Sequence, residues 1–245
     1  PDRSRTCPET PATRGPTVPR IGEATKGAHH EGRTGTTYLL QSSGRVRRRA
    51  GARPGGDRDA AEAGRRASDG TEHYVGGSVR GWADLDHLEP PPSPLDQLNY
   101  LERYLRAAQG TGVGVIANFT SFFDSTLLAI GMQDALCLFR DNRVCLETLM
   151  DILLSHQERA VRAVCDRFAD ELAFVLVNDD ITYNHGLLIH PDLFHEVFPQ
   201  RMRRLIAPAK EHGKLVAMHS DGRIEEVLPL LHDIGFGALH PIQPE

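Results

Sequence analysis

From about residue 95 onward, short apolar runs that stop abruptly at polar residues alternate with stretches of helical period. Leu98, Leu101, Leu105 and Ala108 repeat at helical spacing, Pro94 suits the first turn of that helix, and Gly110 and Gly112 end it. The run 113–117 then has β character and stops at Asn118. A helix is predicted over 125–130, closed by Gly131. A long one follows Asp141 as N-cap, with Cys145, Leu149, Ile152, His156, Ala160, Val164 and Phe168 on its buried stripe. Apolar strands at 173–178 and 214–218 flank a helix with Pro191 in its first turn and Gly213 past its end. Leu193, Val197, Met202, Leu205 and Ala209 form its apolar face. An amphipathic helix over 224–234 leads to a last strand at 237–239, ending at His240.

Strands alternating with helices predict a parallel sheet joined by right-handed crossovers. The fold class expected is α/β, a TIM (β/α)8-type barrel. A full barrel takes eight strands in about 250 residues. Only the runs at 113–117, 173–178, 214–218 and 237–239 read clearly as strands, so the barrel is expected to be incomplete.

Residues 1–70 differ in character. They are rich in Arg, Gly, Pro, Ala, Thr and Ser, Tyr38 is their one aromatic residue, and no periodicity persists. Such a segment buries too little apolar surface to offset chain entropy, so a disordered or non-native low-complexity arm is expected over 1–70, with the barrel over 71–245. The basic run 45–49 reads as a solvated cluster of that arm, and its alternative is a nucleic-acid or anionic-surface patch. Trp82, Leu85 and Leu88 share a face of a short helix that the proline run 90–92 stops.

The formal net charge of -5 is mild and selects no nucleic-acid partner. No run approaches the roughly 20 apolar residues of a membrane span, and the first residues lack a signal-peptide pattern. Cys7, Cys137, Cys145 and Cys165 form no CxxC pair, and the latter two fall in a helical pattern as buried thiols. A reducing, cytoplasmic setting is expected.

In a parallel barrel all strand carboxyl ends open on one face. Asn118, Asp179, Asp180, His219, Asp221, His240 and Gln243 would ring that mouth. Side chains alternate along a strand, so one of Asp179 and Asp180 is expected to point into the site. It would be a proton acceptor or a group that fixes an N–H, or else a structural acceptor. His219 and Asp221 could share a metal, or Asp221 could only begin the turn at Gly222. Tyr183 and His185 lie on a loop above the same face, as substrate contacts or as plain surface. No phosphate loop, GxSxG elbow or HExxH is present.

The segments Asp179-Asp180-Ile181, Gly186-Leu187-Leu188-Ile189, His190-Pro191-Asp192-Leu193-Phe194, Met218-His219-Ser220-Asp221-Gly222 and His240-Pro241-Ile242-Gln243-Pro244 together resemble the uroporphyrinogen decarboxylase superfamily. Trp82-Ala83-Asp84-Leu85 and Asn118 through Asp124 are similar to it as well. The resemblance covers about residues 74 to 245. It implies a TIM barrel, a homodimer, and one of two chemistries. The first is a carboxy-lyase of the porphyrin-biosynthesis type. It removes carboxyl groups from a polycarboxylate such as a tetrapyrrole, with no cofactor. Asp179, Asp180 and His219 would be catalytic, and Asn118, Phe122, Tyr183, His185, Arg223, His240 and Gln243 would bind substrate. The second is a zinc enzyme that moves a methyl group between a corrinoid protein and a thiol, with metal at His219 and Asp221. The sequence departs from both patterns. Ala117-Asn118-Phe119-Thr120-Ser121-Phe122 replaces the decarboxylase Gly-Phe-x-Gly-x-Pro, and Asp221 stands where the methyltransferase His-x-Cys has its Cys. A third reading is a catalytically inactive barrel fragment.

Overall fold

The structure, a computed structural model, describes residues 38–42, 64–66, 72–74, 77, 79, 82–85, 88 and 95–242. Its elements in chain order begin with β1 (Tyr38–Ser42), β2 (Gly64–Arg66), β3 (Glu72–Tyr74), α1 (Trp82–Leu85), α2 (Leu95–Ala108) and β4 (Val115–Thr120). Next come α3 (Phe122–Ile130), α4 (Met132–Asp141), α5 (Arg143–Phe168), β5 (Leu172–Asn178), β6 (Thr182–Tyr183) and β7 (Gly186–Leu187). The last are α6 (Pro191–Val197), α7 (Pro199–Glu211), β8 (Val216–His219), α8 (Leu228–Ile234) and β9 (Ala238–His240).

The main sheet has five strands in the order β1-β4-β5-β8-β9. All its pairings are parallel. The strands expected from apolar runs are therefore β4, β5, β8 and β9, side by side in chain order. Among the described residues the sheet is open, with β1 and β9 at its edges. It is a mixed α/β fold, and no closed barrel is formed among the described residues. β1 lies in the segment where no element was expected, and its partner β4 is distant in sequence. Pairing supplies what local pattern does not. The proline run 90–92, the basic run 45–49, Cys7 and Gln243 lie outside the described residues.

Alternation along the strands sorts two faces. Val115, Ala117, Phe119, Val175, Val177, Val216 and Met218 join the main core with the buried sides of the helices. Ile116, Leu176 and Ala217 form a small separate cluster, with Phe174 and Ala238 packed against it. His219, two residues beyond Ala217, falls on that second face.

Several helices differ from the predicted ones. Asp141 ends α4 and does not cap α5; the N-cap position is Asn142. Ile152 is 41% exposed, and the buried stripe runs instead through Leu149, Leu153, Gln157, Ala160, Val164 and Phe168. Trp82 is 48% exposed, while Leu85 and Leu88 do pack on the core. The helix after Pro191 is two helices, α6 and α7, broken at Phe198 because Pro199 opens the second. Cys145 and Cys165 are buried free thiols, as expected, and burial pushes Cys165 up to about 11.

No single helix among the described residues is long and apolar enough to cross a membrane. The bent pair α3 and α4 passes by length and composition, with a 101° break. Most of α3 is nevertheless buried in the core.

Candidate functional site

Parallel register brings the strand ends to one level. Thr120 pairs with Asn178, Asn178 with His219, and His219 with His240. The chain then leaves each strand by a backbone bond to its neighbour. Ser121 N–H donates to the Asn178 carbonyl at 2.9 Å, Asp179 N–H to His219 at 3.0 Å, and Ser220 N–H to His240 at 3.1 Å. Ser121, Asp179 and Ser220 thereby form a buried row just past the strand ends.

The two adjacent aspartates take opposite directions, as strand alternation predicts. Asp179 is 1% exposed. Its Oδ1 accepts from the Asp124 backbone N–H at 2.6 Å, at the start of α3. Burial raises its pKa well above the usual carboxylate range, the Asp124 and Asp180 charges push the same way, and Ser121 and the Asp124 N–H oppose them. Ser121 lies close enough to exert that pull, yet neither Ser121 Oγ nor Asp179 Oδ2 completes a hydrogen bond of good geometry. Asn118 Oδ1 is likewise buried without a partner.

Asp180 turns to the mouth. Its Oδ1 accepts from the Asp221 N–H at 3.1 Å and lies 3.9 Å from His219 Nε2. Asp180, His219 and Asp221 each offer a ligand atom, all within 4.8 Å of one another. One imidazole and two carboxylates are donors that zinc accepts. The Asp221 placement thus agrees with a shared cluster, and Asp180 joins it. His219 Nδ1 stands 2.8 Å from His240 Nδ1, with the rings 5.1 Å apart.

The loop after β5 is a small hairpin of β6 and β7. It is tied to the β8 turn through side chains and backbone. Ser220 Oγ accepts from the Ile181 N–H at 3.1 Å, Thr182 Oγ1 donates to the Asp221 carbonyl at 2.6 Å, and Arg223 N–H donates to the Tyr183 carbonyl at 2.9 Å. Gly222 has φ +94, and a Cβ there would come within 2.7 Å of the Tyr183 backbone. Only glycine satisfies both conditions. The hairpin is thereby held against the cluster.

The remaining sequence candidates divide. Tyr183 is 47% exposed on the hairpin, with its ring edge-on to His185 at 5.6 Å. Arg223 faces Glu225 at 3.7 Å, its side chain 61% exposed. Phe122 is fully buried and packs on Phe198 within the main core. Sequence reading missed Asp124, whose pKa is raised to about 7 by burial first and by the Asp180 charge second. It also missed Ser121 and Ser220. Their signal was weak, since each is a small hydroxyl residue one step past a strand, beside Thr120 in one case and between His219 and Asp221 in the other.

No protein-family model matches the chain. No curated protein matches it. Among solved structures, a methyltransferase from Methanosarcina mazei is similar at 14% identity with a TM-score of 0.47. The match covers 60% of this chain and 40% of that one, so this chain spans well under half of that protein's length.

Proposed function

We propose that the Asp180–His219–Asp221 cluster is a zinc site and that the chain belongs to a zinc-dependent system moving a methyl group from a corrinoid protein to a thiol. The observation that carries this reading is the convergence of three ligand atoms within 4.8 Å at the strand ends. The residue motifs set out above resemble the superfamily that includes that chemistry, with Asp221 standing in for the Cys of its His-x-Cys pattern. Zinc held there would lower the pKa of a bound thiol and supply the thiolate nucleophile.

The chain's own groups prepare the place. The Asp221 N–H holds the Asp180 carboxylate at 3.1 Å. Ser220 anchors the backbone of Ile181 from beneath. Tyr183 and His185 offer an aromatic surface for the incoming substrate at the edge of the cluster. The test is metal content. Purified protein loaded with zinc should retain about one ion per chain, and Asp180→Asn or His219→Ala should lose it. A chain that never holds zinc, or variants that hold it as well as the parent, would sink the reading.

A second reading is kept on a separate observation. Asp124 holds a proton up to about pH 7 beside Asp179. Such an acid suits the protonation step of a cofactor-independent decarboxylase, with the exposed Arg223 as the cation for a substrate carboxylate. Release of carbon dioxide from a tetrapyrrole polycarboxylate by chelator-treated protein would favour this lyase over methyl transfer.

A further inference from the structure

We propose that His240 is a positioning residue for His219. It accepts the His219 Nδ1–H and so fixes the tautomer that leaves Nε2 bare toward Asp180 and Asp221. This deepens the zinc reading and rests on it. Two imidazole nitrogens 2.8 Å apart need one proton between them. Which ring carries it is decided at His219, the more enclosed of the pair, with its side chain 15% exposed. His240 is exposed, so water satisfies its far nitrogen in either tautomer.

The reverse tautomer of His219 would aim Nε2–H at Asp180 Oδ1 from 3.9 Å, too far for a hydrogen bond. It would also occupy the lone pair that a metal requires. That oxygen already accepts from the Asp221 N–H. With the proton on Nδ1, both ring nitrogens of His219 have a use. Ligating histidines commonly donate their second N–H to an outer partner, and loss of that partner weakens metal binding by about 10–100-fold. His240 reaches this place through register. β9 pairs with β8 so that His240 sits directly beside His219.

The test uses the full chain with His240→Ala and His240→Asn. An asparagine Oδ1 occupies nearly the place of a histidine Nδ1 and accepts the same proton. In metal-free protein, nitrogen-15 NMR of the His219 ring should show a protonated Nδ1 and a bare Nε2. His240→Asn should keep that pattern, and His240→Ala should lose it. Zinc titration should give about 10–100-fold weaker binding in His240→Ala and near-parental binding in His240→Asn. A parental His219 protonated on Nε2 overturns the proposal, as does equal zinc affinity in parent and His240→Ala. If His240→Asn falls as far as His240→Ala and the cobalt-substituted spectrum changes, His240 is itself a ligand and the proposal fails. Failure of the zinc site shows differently: the parent binds no zinc, while the NMR pattern of His219 persists.

Discussion

Asp124 occupies the first turn of α3, where the helix N-terminus favours a carboxylate by about 0.3–1 kcal/mol. Its pKa nonetheless rises to about 7, because desolvation and the Asp180 charge outweigh the helix. The consequence for stability has a definite sign. A carboxyl whose folded pKa lies above its unfolded value, 3.8 here, contributes stability that is fully present below that value and is lost as pH rises through about 7. Asp179, raised in the same direction, adds a loss of the same sign. Denaturant melts across pH should show stability falling between roughly pH 4 and 7, and Asp124→Asn should flatten the curve over that window. Parallel curves for parent and variant would refute the assignment. At this scale the sequence revealed Asp179, Asp180, His219 and Asp221, because strand-end polar residues announce themselves after an apolar run. It could not reveal Asp124, whose raised pKa comes from burial in the fold and from the Asp180 charge on a distant strand end.

Arg201 shows how the helices are locked to each other. Its side chain is 15% exposed and grips Asp151 with two nitrogens, at 2.7 and 3.1 Å. It also donates to Glu147 at 2.9 Å and to the Val197 carbonyl at 2.9 Å. Arg143 extends the network from Glu147 to Glu196. One guanidinium therefore joins α5, α6 and α7. Arg201→Ala should cost about 1–3 kcal/mol, and Arg201→Lys should recover little, since an ammonium lacks the planar fork. Urea melts of the two variants check this, and a lysine variant as stable as the parent would disprove the fork argument. These ion pairs are also where sequence reading fell short. The 26-residue α5 was legible as a helix, but the predicted stripe included Ile152 and His156, one position before the buried Leu153 and Gln157. One position is about 100° around a helix. The partner arginine comes from another helix, so local period alone gave no warning of these ion pairs.

Most of the buried apolar side chains among the described residues form one contiguous core that runs from Val79 to Phe236 in sequence. Phe198 sits at its aromatic centre, fully buried at the break between α6 and α7. It stacks on Phe194 at 4.5 Å and meets Phe122 at 5.7 Å and Phe123 at 6.1 Å. The parallel order of β4, β5, β8 and β9 was legible because each strand was a short apolar run separated by a helix. The seating of β1 beside β4 was not, because it depends on a pairing across more than seventy residues. A core shared by the sheet and the helices should unfold as one unit. Near-ultraviolet and far-ultraviolet circular dichroism should then report the same melting transition. Phe198→Ala should lower stability by about 3–5 kcal/mol, or roughly 10 °C in Tm for a domain of this size. It should do so without splitting the transition, because Phe198 belongs to the same core cluster as strand residues such as Val177 and Met218. Two separated transitions would mean that the core is divided. A loss below about 1 kcal/mol would mean that Phe198 does not anchor the aromatic cluster it forms with α3 and α6.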